Sequence, residues 1–285
     1  MSIKLENVNF DYGNGDDMTL KNINLQINKN EFIGIIGHTG SGKSTLVQLF
    51  NGLLYSSSGK VTVDGQLVSE ETKSELKKIR QKVGLVFQYP EYQLFEETIA
   101  LDIAFGPKNL ELSEEEVEKR VKESMQLVGL DYEKFKDESP FELSGGQKRR
   151  VAIASILAMK PKYLILDEPT AGLDPKGRDE ILGELRKIYE SNEDITVIIV
   201  SHSMEDIANL ADRVIVMNDG EVFADDIPEN IYRREKELES IGLDIPQITK
   251  ATRLLEEKGY KFDKVILTVE EAYNQIMRQI GGKHE

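Results

Sequence analysis

The 285-residue sequence predicts an α/β fold, and two observations carry that expectation. The apolar run Phe32-Ile33-Gly34-Ile35-Ile36 reads as a buried strand; it leads into Gly37-His38-Thr39-Gly40-Ser41-Gly42-Lys43-Ser44-Thr45 and then into Leu46-Val47-Gln48-Leu49-Phe50, which reads as the start of a helix. Further apolar runs, Val83-Gly84-Leu85-Val86-Phe87, Lys162-Tyr163-Leu164-Ile165-Leu166 and Ile195-Thr196-Val197-Ile198-Ile199-Val200, read as core strands ending at Gln88, Asp167-Glu168 and Ser201-His202. Polar groups collected at one end of buried strands mark the edge at which open α/β sheets bind ligands.

The glycine-rich stretch has the strand-before, helix-after context of a phosphate-binding P-loop. Its glycines let successive N–H groups point into one concavity, to which the following helix presents its partly positive N-terminus. Lys43 then reaches the β- and γ-phosphates, and the Ser44 hydroxyl suits a Mg²⁺ that bridges them.

With 39% hydrophobic residues the chain can bury a substantial core, and one large domain plus a small one is expected. No apolar run approaches the roughly 20 residues of a membrane-spanning helix. The N-terminus lacks signal-peptide character and cysteine is absent, so a cytoplasmic protein is the simplest expectation. A net charge of −15, from 51 acidic and 36 basic side chains, argues against a nucleic-acid partner. The densest basic run is Lys148-Arg149-Arg150.

Taken in order, Ile3-Lys4-Leu5-Glu6 and Ile23-Asn24-Leu25-Gln26-Ile27 alternate as strands, joined through the turn-rich Gly13-Asn14-Gly15-Asp16-Asp17. Tyr12, at the end of the first strand, reads equally as half-buried packing or as a flat face for a base. Residues 59–66 form a strand with an Asp-Gly turn. After Gln88, the loop Tyr89-Pro90-Glu91-Tyr92-Gln93-Leu94-Phe95 is unusually aromatic for an exposed connection and suggests a contact surface. Ser113-Glu114-Glu115-Glu116 has capping-box spacing and opens a helix with Val117, Val121, Met125 and Val128 on one stripe.

Leu143-Ser144-Gly145-Gly146-Gln147 follows, with Ser144 as N-cap of a long helix running through Met159 and a second glycine-bearing helix start. Asp167 and Glu168, two carboxylates at the end of a buried strand, are costly to bury without a task or a partner. In a P-loop enzyme the first holds Mg²⁺ and the second takes a proton from the attacking water. Asp174 caps the next helix, with Pro175 at its first position. Of the three histidines, His38 lies in the P-loop, His202 ends a core strand and His284 lies in a tail. A hairpin with an Asp-Gly turn spans 213–223, and beyond about Pro228 the pattern changes. A short helix over 246–258 and a capping box at Thr268-Val269-Glu270-Glu271, opening a helix through Tyr273, Ile276 and Ile280, read as a small accessory or dimerisation element.

Together these residues resemble the ABC ATPase family over roughly 3–225. Gly37 to Thr45 matches its Walker A motif, Leu143 to Gln147 its signature, and Leu164 to Glu168 its Walker B motif. Gln88 fits the Q-loop, Asp174 the D-loop, His202 the switch histidine and Tyr12 the aromatic loop that stacks on adenine. The resemblance implies a P-loop NTPase with a RecA-like core, an antiparallel β subdomain and a helical signature subdomain at about 90–160; the ATPase domain would cover 1–228 and the C-terminal α or α/β extension 229–285. It implies ATP and Mg²⁺ as cofactors. Tyr12, the loop residues Gly37, His38, Thr39, Gly40, Ser41, Gly42, Lys43, Ser44 and Thr45, and Ser144, Gly145, Gly146, Gln147 and Asp174 would bind nucleotide. Ser44, Gln88 and Asp167 would bind the metal, and Glu168, His202, Gln88 and Lys43 would serve catalysis.

Within that family, Phe87 to Phe95, Ala104-Phe105-Gly106-Pro107 and the C-terminal extension look similar to the ATPases of energy-coupling factor transporters, which import vitamins and other micronutrients, and which are related to cobalt and nickel importer ATPases. Phe95-Glu96-Glu97-Thr98 and the stretch from Leu143 to Val151 look like the second ATPase paralogue. The resemblance implies a second ATPase chain paired head to tail, a transmembrane scaffold subunit, a membrane protein that captures substrate, and a place on the cytoplasmic face of the membrane. The alternatives are the ATPase of a conventional binding-protein-dependent importer and a soluble ABC protein outside transport.

Overall fold

Strands that are apolar at every position must be covered on both faces, and the structure covers them. The computed structural model describes residues 1–13 and 18–281. Its elements are β1 (Ser2–Phe10), β2 (Leu20–Asn28), β3 (Phe32–Ile36), α1 (Lys43–Phe50), β4 (Ser58–Val63), β5 (Gln66–Leu67), α2 (Leu76–Lys82), β6 (Val83–Val86), α3 (Ile99–Asn109), α4 (Glu114–Leu127), α5 (Tyr132–Phe135), α6 (Gly145–Leu157), β7 (Tyr163–Asp167), α7 (Pro175–Glu190), β8 (Thr196–Val200), α8 (Met204–Leu210), β9 (Arg213–Asn218), β10 (Glu221–Asp226), α9 (Pro228–Arg233), α10 (Glu235–Ser240), α11 (Gln247–Glu257) and α12 (Val269–Gly281).

A six-stranded sheet has the order β10-β9-β3-β8-β7-β6. Its neighbours are parallel except for the β9–β10 hairpin at one edge. A second, antiparallel sheet has the order β2-β1-β4-β5. The expected parallel core and antiparallel layer are thus both present. Of the expected turn between β1 and β2, Asn14, Gly15, Asp16 and Asp17 lie outside the described residues.

The period of two in β3 divides the interior. Phe32 and Ile36 pack with the helical side of the core, among Ile103, Met125, Val151 and Ile207, while Ile33 and Ile35 pack with the side shared with the antiparallel sheet and α1, among Ile3, Leu5, Leu46 and Phe50. One strand therefore anchors two layers, and the loop that follows it inherits that rigidity.

Two expected capping boxes are only half formed. The Ser113 hydroxyl accepts from the Glu116 N–H at 3.3 Å, but the Glu116 carboxylate turns to Arg120 Nε at 2.8 Å, where an opposite charge one helical turn away outcompetes a neutral N–H. At α12 the Thr268 hydroxyl accepts from the Glu271 N–H, while the Glu271 carboxylate accepts from the Leu267 N–H rather than from Thr268. The helix opened at Ser144 ends at Leu157, two residues before Met159.

After β10 the described residues form helices joined by turns and irregular segments, with no strand. Ile231, Tyr232, Leu238, Leu243, Ile245 and Leu267 belong to the same hydrophobic cluster as the sheet. Tyr232 is fully buried, and its hydroxyl donates to the Met204 carbonyl at 3.2 Å, which ties α9 to α8. Ile280 is in α12 by its backbone, but its side chain, and His284 altogether, lie outside the described residues. No helix among the described residues is long and apolar enough to cross a membrane.

The expected consequence of this packing is that Tyr232→Ala removes about 3–5 kcal/mol of stability through the cavity it leaves. Urea unfolding measures it; a loss below about 1 kcal/mol would mean that α9 is not seated in the core as described.

Candidate functional site

Three segments converge at the carboxyl edge of the parallel sheet: the loop after β3, the residues ending β7 and the residues after β8. Gly42 caps α1 with φ +97, and a Cβ there would stand 2.7 Å from Leu20 Cδ2 and 3.1 Å from the Thr19 carbonyl, so glycine is required at this corner. Lys43 begins α1 but bends back over the loop, donating to the carbonyls of Gly37 at 2.7 Å and His38 at 2.9 Å. Burial lowers its pKa, opposed by the charges of Glu168 and Asp167. The ammonium is thus held dry, facing two carboxylates.

Asp167 is the last residue of β7 and is buried. Burial raises its pKa, while the Ser44 hydroxyl, then Lys43, pull it down. Glu168 follows with a left-handed backbone, φ +51, and its N–H donates to the Val200 carbonyl at 2.9 Å. That conformation is uncommon for a glutamate and turns the side chain back over the sheet edge. Burial pushes its carboxyl up to about 7, with the His202 backbone N–H opposing and the Asp167 charge adding. His202 Nε2 lies 3.2 Å from Glu168 Oε1, yet without hydrogen-bond alignment, so that buried oxygen has no partner. Burial, then the nearby Lys43 charge, lower the imidazole pKa and favour the neutral ring.

One cavity of about 360 Å³ is lined by Tyr12, Thr39, Gly40, Gly42, Lys43, Ser44, Thr45, Gln88, Asp167, Glu168 and His202, together with Thr19. Tyr12 stands at its rim, its hydroxyl 3.0 Å from Thr45 Oγ1 and its ring edge-on to Phe10. His38 points away from it, with Nε2 3.5 Å from Asp219 in the β9–β10 turn. Gly37 and Ser41 lie in the backbone of the same loop.

Ser144, Gly145, Gly146, Gln147 and Asp174 are not in that cavity. They line a second one with Gly172, Leu173, Lys176 and Arg150. Ser144 and Gln147 form a complete capping box: the Ser144 hydroxyl accepts from the Gln147 N–H, and the Gln147 amide oxygen accepts from the Ser144 N–H at 3.0 Å. The first turn of α6 is held open toward solvent. Asp174 caps α7 through the Gly177 N–H at 3.1 Å.

Sequence reasoning missed Arg149. It reads as part of a basic surface run, but only 2% of it is exposed. Its Nη1 donates to the carbonyls of Pro169 and Ala171, both at 2.8 Å, and its Nη2 reaches Glu91 at 3.4 Å. The guanidinium ties α6 to the turn after Glu168 and to the loop after Gln88. Its place three and four residues before the apolar Ala152 and Ile153, on the same face of α6, was the available signal.

A family model for ABC transporters matches residues 20–171. The energy-coupling factor transporter ATP-binding protein EcfA2 of Clostridium tetani is 55% identical over 99% of this chain and 99% of its own length. Its counterpart from Caldanaerobacter subterraneus subsp. tengcongensis is 56% identical over 99% of both. The chain belongs to the ATP-binding subunits of energy-coupling factor transporters. Among solved structures, cbiO1 from Clostridium perfringens, part of the ABC transporter complex cbiONQ, superposes with a TM-score of 0.75 at 38% identity over 89% of this chain and 98% of that one. A dimeric structure of MJ0796, a bacterial ABC transporter cassette, gives a TM-score of 0.70 at 36% identity over 79% and 98%. As an energy-coupling factor ATPase, the subunit binds ATP and hydrolyses it to power an importer.

The raised pKa of Glu168 has a consequence for stability in the absence of nucleotide and metal. A carboxyl that ionises near 7 when folded, against about 4.5 when unfolded, holds more protons in the native state between those values, so stability falls as pH rises through that window. Relative to wild type, Glu168→Gln should therefore gain about 1–3 kcal/mol at pH 8 and almost nothing at pH 4.5. Urea titrations at the two pH values check this; an equal gain at both would refute burial as the cause.

Proposed function

We propose that each ATP site of this energy-coupling factor ATPase is completed by a second ATPase chain, because the residues suited to phosphate divide between two separate cavities. Lys43, Asp167, Glu168 and His202 line one, and Ser144 to Gln147 with Asp174 line the other. Head-to-tail pairing brings the second cavity of one chain over the first cavity of its partner. That partner is an identical copy or a paralogue.

In that arrangement the loop N–H groups and Lys43 neutralise the β- and γ-phosphates. Tyr12 offers its ring to the adenine. Gln88, Ser44 and Asp167 are an amide, a hydroxyl and a carboxylate, the hard oxygen donors Mg²⁺ takes. Mg²⁺ held by these residues would supply positive charge beside the phosphates. Glu168 accepts a proton from the in-line water, its raised pKa matching a general base that works near neutrality. His202, neutral and beside Glu168, contacts the γ-phosphate and holds the reacting groups in place.

The decisive variant is Glu168→Gln, which keeps the shape and removes the base. It should bind ATP and pair in its presence, seen by size-exclusion chromatography, while turnover falls by a factor of about 10² or more. Undiminished turnover would remove Glu168 from the proposed role.

The chain works at the cytoplasmic face of the membrane through partners. Tyr92 is 84% exposed, and Phe95 and Phe105, in edge-to-face contact at 5.0 Å, are also exposed, which makes this loop an apolar and acidic grip for a coupling helix of a transmembrane scaffold subunit. A separate membrane protein captures the substrate. On the C-terminal element, 229–285, Leu254 of α11 and Val269, Tyr273 and Met277 of α12 leave an exposed apolar face suited to holding the two ATPases together when the nucleotide sites open, whereas 1–228 forms the ATPase domain. Affinity purification from native membranes tests both contacts. Tyr92→Asp should lose the membrane scaffold but keep the second ATPase, and Tyr273→Asp should lose the second ATPase only without nucleotide; recovery of all partners by both variants would overturn these assignments.

A further inference from the structure

Asp206, on α8, is a carboxylate that lines neither of the two cavities and is only 2% exposed. A buried charge needs partners, and its partners come from two other parts of the chain. Oδ1 accepts from Arg178 Nε of α7 at 2.7 Å, and Oδ2 accepts from the Thr170 hydroxyl at 3.2 Å. Arg178 Nη2 donates to the Ser203 hydroxyl at 2.8 Å, and that hydroxyl also accepts from the Asp206 N–H at 3.2 Å. The guanidinium answers the charge. The Thr170 bond serves another end. Thr170 stands two residues after Glu168, in a turn closed by the Ala171 N–H on the Glu168 carbonyl at 3.1 Å, and Ser203 follows His202 and caps α8. β7 and β8 end at Asp167 and Val200, and their main-chain pairing stops where the Glu168 N–H meets the Val200 carbonyl. Beyond that point Asp206 is a side-chain bridge between the segments that carry Glu168 and His202, whose Oε1 and Nε2 lie 3.2 Å apart.

Glu168 needs such a hold. Its left-handed backbone, φ +51, persists for a non-glycine residue only where its surroundings fix it. We propose that Asp206 is a positioning residue that acts through Thr170: it fixes the turn after β7 to the start of α8, and so keeps the Glu168 carboxylate in place beside His202 for the attacking water. The inference rests on the reading of Glu168 as the base. Without the Thr170 bond the turn keeps Arg149 on its other side, so the fold and the phosphate-binding loop stand while the carboxylate loses its register. The loss falls on the chemical step and spares nucleotide binding.

The test uses Thr170→Val, which keeps the shape of the side chain and removes its hydroxyl, and Thr170→Ser, which keeps the hydroxyl. Turnover is measured on the complex purified from native membranes with its partners, and nucleotide affinity on the full-length chain, at a temperature where circular dichroism shows every variant folded. Thr170→Val should lower kcat about tenfold with KM and nucleotide affinity within about twofold of wild type, and Thr170→Ser should restore kcat to within about twofold. In Glu168→Gln, where the group being positioned is gone, adding Thr170→Val should leave the residual turnover within about twofold. A wild-type kcat for Thr170→Val, an equal loss in Thr170→Ser, or a further loss of about tenfold on top of Glu168→Gln would overturn the proposal. If Glu168→Gln alone turns over at the wild-type rate, the reading of Glu168 falls and this inference with it; if it is slow and Thr170→Val is not, only the role of Asp206 and Thr170 falls.

Discussion

A buried ammonium facing one buried and one partly buried carboxylate is the constraint on which the rest of this structure depends. Lys43 is held by two main-chain carbonyls of its own loop and faces Asp167 and Glu168 at the end of β7. Each charge disfavours burial singly, as the lowered lysine and raised carboxyl pKa values record. They persist together because β3 and β7, both flanking β8 in the sheet, deliver them from a rigid edge. A polyanionic ligand relieves the lysine, and a cation relieves Asp167. The site is thus poised for the phosphates of a nucleotide by the electrostatic cost of remaining without one, and the cation proposed above would relieve the same cost.

The same sheet edge bears on the proposed pairing of two chains. The Ser144 helix start faces a cavity of its own, and Arg149 ties the helix that carries it to the turn after Glu168 and to the loop after Gln88. In an importer ATPase that link lies directly beneath the aromatic loop proposed to meet the membrane subunit, so the transport machinery and the hydrolytic turn share a support.

The C-terminal helices have a double character. Their inner side belongs to the ATPase core through Ile231, Tyr232 and Leu238, while α11 and α12 turn Leu254, Tyr273 and Met277 outward. The composition change near Pro228 marks a change of secondary structure, from strands to helices, and packing continues across it. Periodicity reports which local structure forms; it does not report which neighbour receives the buried face.

The sequence by itself determined the parts whose chemistry is local. The glycine-rich loop between β3 and α1, the strands ending at Asp167 and Val200, the Asp174 and Ser144 caps and the Asp-Gly hairpins each follow from residues within a few positions of one another. The capping boxes at Ser113 and Thr268 were only half legible, because Glu116 and Glu271 had other partners within one turn. Tertiary structure alone decided what lies far apart in the chain: that Tyr12, Gln88, Glu168 and His202 share one cavity while Ser144 and Asp174 line another, and that Arg149 is an internal strap rather than surface charge. A residue's propensity and its spacing carry its own conformation, whereas the identity of a contact 58 residues away, from Glu91 to Arg149, exists only once the sheet has set the order of its strands.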